Sequence, residues 1–251
     1  VATERPLWFN LALVAAGLTV LVVGSQLLVN GATDIAESAG VSELATEWFH
    51  AEGATGHYFE TYLLIGNPNA DPAVLTVTYL LPSGAAITRT YDVGGHARRT
   101  INVEYEDPML ADTAVSMTVR STRPVVSERA MYWPGPASTW QEAHNSVGVN
   151  TTAVRWGLAE GCVGGTRRAQ TYVLVSNATA GAANVKVTFL PETGSAFSKT
   201  YTVSATSRFN VDVGYEAPSL AGACFGVLVE STNGVPLAVE RAMYWDARGV
   251  R

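Results

Sequence analysis

Two pairs of charged residues recur in this chain at matching places within largely apolar sequence. Each pair combines a glutamate, Glu52 or Glu160, with an arginine, Arg129 or Arg241. A carboxylate beside a guanidinium could serve an active site, or it could fasten two strands together as an ion pair. A buried charge persists only when an opposite charge or a set of hydrogen bonds compensates it. We predict that these residues form structural ion pairs and are not catalytic groups.

Both arginines lie in the same hexapeptide, ERAMYW, which occurs as Glu128–Trp133 and again as Glu240–Trp245. Each arginine is predicted to pair with the recurring glutamate of its own repeat or with the glutamate directly before it, Glu128 or Glu240. Side chains alternate between the two faces of a strand, so the arginine, methionine and tryptophan share one face. We predict that the apolar residues of this face fill the core of each repeat: Met131, Trp133, Met243 and Trp245.

The other residues that could act in catalysis or bind a metal form no recognisable site. None of the histidines recurs in the second copy, and the chain has no phosphate loop, dinucleotide fingerprint or Gly-x-Ser-x-Gly motif. Glu104, Glu106 and Asp107 carry the oxygen ligands that calcium prefers. The second copy has only Asp212 and Glu216 near that place, which favours a solvated loop. The sequence therefore predicts no enzyme activity, no metal and no cofactor.

The two cysteines, Cys162 and Cys224, occupy places where the first repeat has Ala54 and Ala114. We predict a disulfide between them that joins the opening of the second repeat to a late strand. Disulfides persist outside the reducing cytoplasm, and the repeats are predicted to lie outside the cytoplasm. The alternative is a pair of buried thiols that pack as small apolar residues.

The composition narrows the classes of function. Of the 251 residues, 47% are hydrophobic and only 15% are charged, and the net charge is −6. Nucleic acids are bound through clustered lysine and arginine side chains, so the composition argues against a nucleic-acid partner. Short runs rich in Val, Thr and Tyr between Gly and Pro residues are typical of strands joined by turns.

A tandem repeat organises most of the chain. TYLLIGN at Thr61–Asn67 matches TYVLVSN at Thr171–Asn177. Each of the two copies ends with one ERAMYW hexapeptide. Six or seven alternating strands in each copy predict a mainly β fold: two tandem immunoglobulin-like β-sandwiches preceded by one long apolar N-terminal α-helix. The predicted segments are 1–46 (helix and connector), 47–133 (first sandwich), 134–154 (linker or closing strand) and 155–251 (second sandwich).

The helix is predicted from Leu7–Val29, a run without any formal charge. A helix of this length could span the ~30 Å hydrocarbon layer of a membrane. Membrane lipid is therefore one predicted partner of residues 7–29. The alternative is that residues 7–29 of identical subunits pack together in the core of a pilin-like filament or another homo-oligomer. In either setting its polar residues are predicted to make helix contacts: Asn10, Thr19, Ser25 and Gln26. Arg5 on the amino side places the later residues outside the cytoplasm.

Two segments resemble known families. Gly17–Leu44 is similar to a helix-and-loop of the cation/calcium exchanger superfamily, but the ion-binding helix that follows in that family is replaced here by strand-like sequence. Residues 47–245 resemble tandem immunoglobulin-like modules of bacterial cell-surface proteins through their Ala-Glu-Gly opening, TYLLxxNP strand and ERxMYW closing strand. This second resemblance implies a surface spacer or adhesive unit without known chemistry.

These observations favour a non-catalytic structural or adhesive protein at the cell surface or outside the cell, anchored or assembled through its N-terminal helix. A glycan- or protein-binding module is an alternative, for which Trp140, Tyr58 and Phe59 are the candidate contact residues. A degenerate membrane protein related to the exchangers is the other alternative. The sequence identifies no ligand.

Overall fold

Alternating apolar and polar residues form the strands of this protein. The computed structural model describes residues 44–134 and 140–246, which belong to one compact unit. From Ala73 to Tyr79, for example, every second side chain is buried. A period of two residues is that of a strand with one face against a core.

The first repeat is built from strands that all pair in antiparallel fashion. They are β1 (Ala45–His50), β2 (Glu60–Asn67), β3 (Ala73–Leu80), β4 (Ala86–Val93), β5 (Ala97–Asn102), β6 (Ser116–Trp133) and β7 (Glu142–Val147). The first half of β6 pairs with β1 and β3, and β4 lies beside β3. The second half of β6 pairs with β2 and β7, and β5 lies beside β2. The long strand β6 therefore belongs to both layers of the sandwich. Two 3₁₀ turns, Val103–Tyr105 and Pro108–Leu110, connect β5 to β6.

The second repeat follows the same plan with one strand divided. Its strands are β8 (Arg155–Leu158), β9 (Gln170–Asn177), β10 (Ala183–Pro191), β11 (Phe197–Val203), β12 (Ser207–Asp212), β13 (Phe225–Ser231) and β14 (Ala238–Tyr244). One sheet has the order β11-β10-β13-β8 and the other the order β12-β9-β14. A single helical turn, α1 (Val213–Glu216), and a 3₁₀ turn, Pro218–Leu220, connect β12 to β13.

Apolar side chains from both layers fill each repeat. Trp48 and Met117 meet Leu63 in the core of the first repeat, and Phe189 meets Val175 in that of the second. Complete burial of such a side chain contributes roughly 1.5–3 kcal/mol. The predicted mainly β fold is confirmed.

The prediction of immunoglobulin-like sandwiches is wrong in the strand order. In a constant-type immunoglobulin domain the first strand shares a sheet with the second, and the last strand shares a sheet with the third and sixth. Here β1 pairs with the first half of β6, which is the sixth strand segment of the repeat. The second half of β6, the seventh segment, pairs with β2. Compared with an immunoglobulin domain, the first and the last strand have thus exchanged sheets, although both repeats keep two layers.

The predicted N-terminal helix is a further correction to the fold class. The only α-helix in residues 44–134 and 140–246 is the four-residue α1. None of the described helices is long and apolar enough to cross a membrane. Residues 7–29, with Asn10, Thr19, Ser25 and Gln26, lie outside the described residues, as does nearly all of the segment similar to the exchangers. In residues 44–134 and 140–246 the structure therefore supports a mainly β fold without a long apolar helix.

A repeated tryptophan fixes the opening strand of each repeat. The indole Nε1 of Trp48 donates to the carbonyl oxygen of Val125 at 3.0 Å. Trp156 donates in the same way to the carbonyl oxygen of Leu237 at 2.9 Å. The first bond joins β1 to β6, and the second joins β8 to the residue directly before β14, so the residues that follow each opening strand have a fixed position.

Candidate binding cleft between the repeats

The segment Ala51–Gly53 directly follows β1 and places a glutamate between the repeats. A Cβ atom on Gly53 would lie 2.6 Å from the carbonyl oxygen of Val115, so only glycine permits this approach. The N–H of Val115 donates to the carbonyl oxygen of Gly53 at 2.9 Å. This close contact holds Glu52, whose side chain is buried.

The buried guanidinium of Arg129 joins the two repeats. Its Nη2 atom lies 2.6 Å from Oε2 of Glu52, and its Nη1 atom lies 2.6 Å from Oε2 of Glu240 in the second repeat. The same Glu240 oxygen accepts the backbone N–H of Glu52 at 2.6 Å. The Arg129 side chain is only 1% exposed, so these charges attract each other with little screening by water. The structure brings together the predicted pair and adds a partner that the sequence did not indicate.

Two further side chains complete the surroundings of the Glu52 carboxylate. Nε2 of His144, on β7, lies 3.0 Å from Oε2 of Glu52 and 3.1 Å from Nη2 of Arg129. The hydroxyl of Tyr244, in the second repeat, donates to Oε1 of Glu52 at 3.1 Å. The first repeat therefore binds one oxygen of this carboxylate, and the second repeat binds the other.

The charges of this cluster stabilise one another. Burial raises the pKa of the Glu52 carboxyl, but the hydrogen bond from His144 and the charge of Arg129 outweigh burial and lower that pKa. Burial also opposes the charged form of Arg129, but Glu240 and Glu52 outweigh it and raise the pKa of Arg129. Burial and the Glu52 carboxylate raise the pKa of Tyr244, so its hydroxyl remains a donor.

A second buried arginine, Arg208 of β12, crosses the same interface. Its Nη1 atom donates to the carbonyl oxygen of Gly53 at 2.7 Å and to that of Val115 at 3.3 Å. Its Nη2 atom donates to the side-chain oxygen of Asn210. Burial lowers the pKa of Arg208 to about 10, although the charge of Glu52 opposes the shift. Arg208 is therefore protonated at neutral pH and makes charge-assisted hydrogen bonds between the repeats.

The corresponding pair of the second repeat also forms but remains in contact with solvent. Nη1 of Arg241 lies 3.2 Å from Oε2 of Glu160 and donates to the Glu160 carbonyl oxygen at 2.9 Å. The two side chains are 31% and 61% exposed. The same hexapeptide thus forms a buried junction in the first repeat and an exposed ion pair in the second.

A cleft of about 1150 Å³ lies beside this junction, between the repeats. Its aromatic wall contains Phe59, Trp133 and Tyr244, whose ring centroids lie 5.5 to 6.0 Å apart. Tyr58 and Trp245 add exposed rings to the lining. Polar side chains complete it: Glu142, Glu160, Arg168, Gln170, Asn210 and Asp246.

Comparisons with known proteins assign no family to this arrangement. No model of a known protein family matches the chain, and no curated protein matches it. The crystal structure of Thermotoga maritima 1070 is similar to 43% of this chain over 95% of its own length, with 15% identity and a TM-score of 0.39. The Anabaena sensory rhodopsin transducer is similar to 33% of this chain over 91% of its own length, with 21% identity and a TM-score of 0.30. At these scores neither similarity assigns a fold or a function.

Three of the four residues predicted to fill the repeat cores lie elsewhere. Met131 is buried as predicted, but Trp133 and Met243 are half-buried and line the cleft. Trp245 is 47% exposed and also lines the cleft. The ends of β6 and β14, together with Trp245 directly after β14, extend past the apolar cores, so these side chains face the space between the repeats instead.

The remaining sequence candidates occupy different parts of the molecule. Tyr58 and Phe59 lie at the cleft, whereas Trp140 packs against Tyr132, with ring centroids 5.3 Å apart, and does not line the cleft. Cys162 and Cys224 are joined in a disulfide, which connects the opening of the second repeat to the residue before β13. Oxygens of the acidic run Glu104–Asp107 bind side chains of β4, including Arg89, which lies 2.8 Å from Asp107.

A buried histidine next to the junction makes stability depend on pH. His50 is fully buried, and its Nε2 lies 2.8 Å from the hydroxyl oxygen of Ser127. Burial and the nearby charge of Arg129 lower the pKa of His50 from 6.5 to about 3. Between these values the unfolded chain binds a proton that the folded chain does not. The contribution of neutral His50 is therefore complete above pH 6.5 and is lost as the pH falls towards 3.

We expect the free energy of unfolding to fall by about 2 kcal/mol between pH 6.5 and pH 5 because of His50 alone. Urea unfolding at a series of pH values measures this slope. The variant His50→Gln, which can keep a hydrogen bond to Ser127, should lose that part of the slope. His57→Gln is the control, because His57 is exposed. Parallel pH profiles of the wild type and His50→Gln would contradict the assignment.

Proposed function

We propose that this chain is a non-catalytic adhesive module that acts outside the cytoplasm and binds a glycan in the cleft between its repeats. The observation that carries this proposal is the aromatic lining of the cleft. Phe59, Trp133 and Tyr244 form a continuous group, and Tyr58 and Trp245 extend it with exposed rings.

The chemistry of this lining matches that of a sugar chain. The C–H face of a pyranose ring is apolar and packs on the flat face of an aromatic side chain, while its hydroxyls need polar partners. The amides of Gln170 and Asn210 and the carboxylate of Glu142 are exposed polar groups in the lining. The cleft, at about 1150 Å³, exceeds the roughly 300–1,000 Å³ of a typical small-ligand pocket. It therefore suits several linked sugars better than one.

Two observations support the non-catalytic and extracytoplasmic parts of the proposal. Oxygens of the Glu52 carboxylate already bind Arg129, His144 and Tyr244, so this carboxylate is occupied by structural contacts. The disulfide between Cys162 and Cys224 is typical of proteins in oxidising compartments.

The two most exposed tryptophans of the described residues provide a matched test. Trp245 is 47% exposed and lines the cleft, whereas Trp140 is 54% exposed and does not. We expect an array of soluble oligosaccharides to show binding by the wild type. Trp245→Ala should then weaken the affinity by at least about tenfold, because a buried aromatic contact is worth more than about 1 kcal/mol.

Trp140→Ala should bind the same oligosaccharide with unchanged affinity, as measured by isothermal titration calorimetry. Absence of binding to every malto-, cello- and chito-oligosaccharide and every other glycan on the array would contradict the proposal. Equal losses in Trp140→Ala and Trp245→Ala would place the site elsewhere.

A further inference from the structure

The two repeats contact each other through two different surfaces. The first repeat contributes Ala51–Gly53 and Arg129, which we call the docking end. The second contributes the outer face of the sheet β12-β9-β14, with these contact residues: Leu174, Arg208, Glu240, Ala242 and Tyr244. An interface between unlike surfaces is heterologous, and its repetition generates rings or open chains of subunits.

Both surfaces occur twice in the chain, since each repeat carries the residues for each. The docking end of the second repeat is Ala159–Gly161 with Arg241. The outer face of the first repeat, on β5, β2 and β6, carries the corresponding side chains: Leu64, Arg98, Glu128, Ala130 and Tyr132. Contact between the two repeats therefore leaves one docking end and one outer face unused.

Burial separates the used surfaces from the unused ones. Glu52 of the used docking end is buried, whereas the matching Glu160 is exposed. Arg208 of the used outer face is 3% exposed, whereas the matching Arg98 is exposed to solvent. The contact between repeats thus covers the charged groups of the used surfaces and leaves their counterparts Glu160 and Arg98 accessible, whereas Ala130 of the unused outer face is already buried.

We propose that a second copy of this chain docks on the unused surfaces and repeats the contact found between the repeats. Glu128 of one copy then pairs with Arg241 of the next, as Glu240 pairs with Arg129. Copies add head to tail, because each retains a free docking end after its outer face is filled. This proposal does not rest on glycan binding.

Two charged residues of the unused outer face, Arg98 and Glu128, already have the arrangement that docking requires. Nη2 of Arg98 donates to the hydroxyl of Thr100 at 2.9 Å, as the matching atom of Arg208 donates to Asn210. In the described part of the chain no residue forms an ion pair with Glu128, which leaves its carboxylate available to an arginine of another copy.

Two differences make contact between copies weaker than contact within the chain. Trp140 lies against Tyr62 and Tyr132, with ring centroids 6.2 and 5.3 Å apart, and this half-exposed ring must move aside when a copy docks. The repeats within one chain are also tethered, which provides an effective concentration in the millimolar range. We therefore expect association between copies at protein concentrations of about 0.1–1 mM.

Sedimentation velocity of the full chain over a dilution series tests the proposal. The wild type should form dimers and longer species reversibly as the concentration rises. Arg241→Glu and Arg98→Glu should each raise the dissociation constant on the order of 100-fold. Arg241→Glu places a carboxylate opposite Glu128 of the other copy, and Arg98→Glu removes the hydrogen-bond donor that corresponds to Arg208. Arg99→Glu is the matched control: it changes the same charge one residue along β5, where the side chain points to the other side of the sheet.

A charge exchange provides the second, more specific test. The double variant Glu128→Arg/Arg241→Glu should recover the association that each single variant loses. A mixture of the single variants Glu128→Arg and Arg241→Glu should also recover dimers and longer species, because both surfaces of one variant complement the opposite surfaces of the other, whereas neither variant should associate alone. Circular dichroism checks that each variant is folded.

Three results would overturn the proposal: a chain that stays monomeric up to about 1 mM, association that is equal in Arg241→Glu and the wild type, or no recovery in the double variant. Association through residues 7–29 would give the second result, since it would persist in every variant. Glu160 and Arg241 also line the cleft, so association is measured without added glycan. A failure of glycan binding therefore remains distinguishable from a failure of docking.

Discussion

Replacing Arg129 with alanine is expected to lower the free energy of unfolding by about 3–5 kcal/mol, the cost of removing one partner from a buried ion pair. The substitution leaves Glu52 and Glu240 close to each other without the guanidinium that lies 2.6 Å from each. Both carboxylates are largely shielded from water, with side-chain exposures of 5% and 11%. Their repulsion and lost hydrogen bonds act at the contact between the repeats, so both repeats should lose stability together.

The second copy of the hexapeptide supplies the control for this prediction. Arg241→Ala removes the same residue from the same sequence, but its ion pair with Glu160 is exposed and should cost about 0–1 kcal/mol. Guanidinium unfolding at pH 7, followed by circular dichroism, measures both losses. Similar losses in the two variants would show that burial of the Arg129 network is not what stabilises the chain.

The strands could be predicted from the sequence because their alternation reflects local burial. The alternation in Leu75–Leu80 and Ile87–Val93 predicts two strands, and the structure places them within β3 and β4, which are one or two residues longer at one end. The pattern predicts two strands, Val115–Val119 and Val125–Trp133, where the structure has the single strand β6, because Pro124 lies just before the second of them. Proline lacks an N–H and is tolerated where a strand leaves one ladder and joins another, which is what β6 does there.

The contact between the repeats could not be predicted because it depends on how two domains are placed. Glu240 directly precedes Arg241 in the sequence, yet it pairs with Arg129, 111 residues away. The repeat does provide a signal, since Arg98 and Arg208 occupy matching positions on strands. It does not show which copy is buried. The same limit explains why Trp245 is exposed although the pattern predicts that it fills the core. The hexapeptide pattern shows which face of the strand carries this side chain, but it does not show where along the strand the core ends.

Removing the disulfide is expected to lower the free energy of unfolding by about 4 kcal/mol, because Cys162 and Cys224 close a loop with a sequence separation of 62 residues. Cross-linking such a loop restricts the unfolded chain far more than the folded one. The test is the double variant Cys162→Ala/Cys224→Ala, compared with the oxidised wild type by denaturant unfolding.

The first repeat shows why this double variant isolates the cross-link. Ala54 and Ala114 form the same isolated β-bridge there that Cys162 and Cys224 form in the second repeat. Alanine therefore fits this backbone pairing, and the expected loss reflects the unfolded chain and not a packing defect. A reducing agent should destabilise the wild type by a similar amount and leave the double variant unchanged. If the double variant were as stable as the oxidised wild type, the second repeat would be held by its core and by the Arg129–Glu240 junction alone.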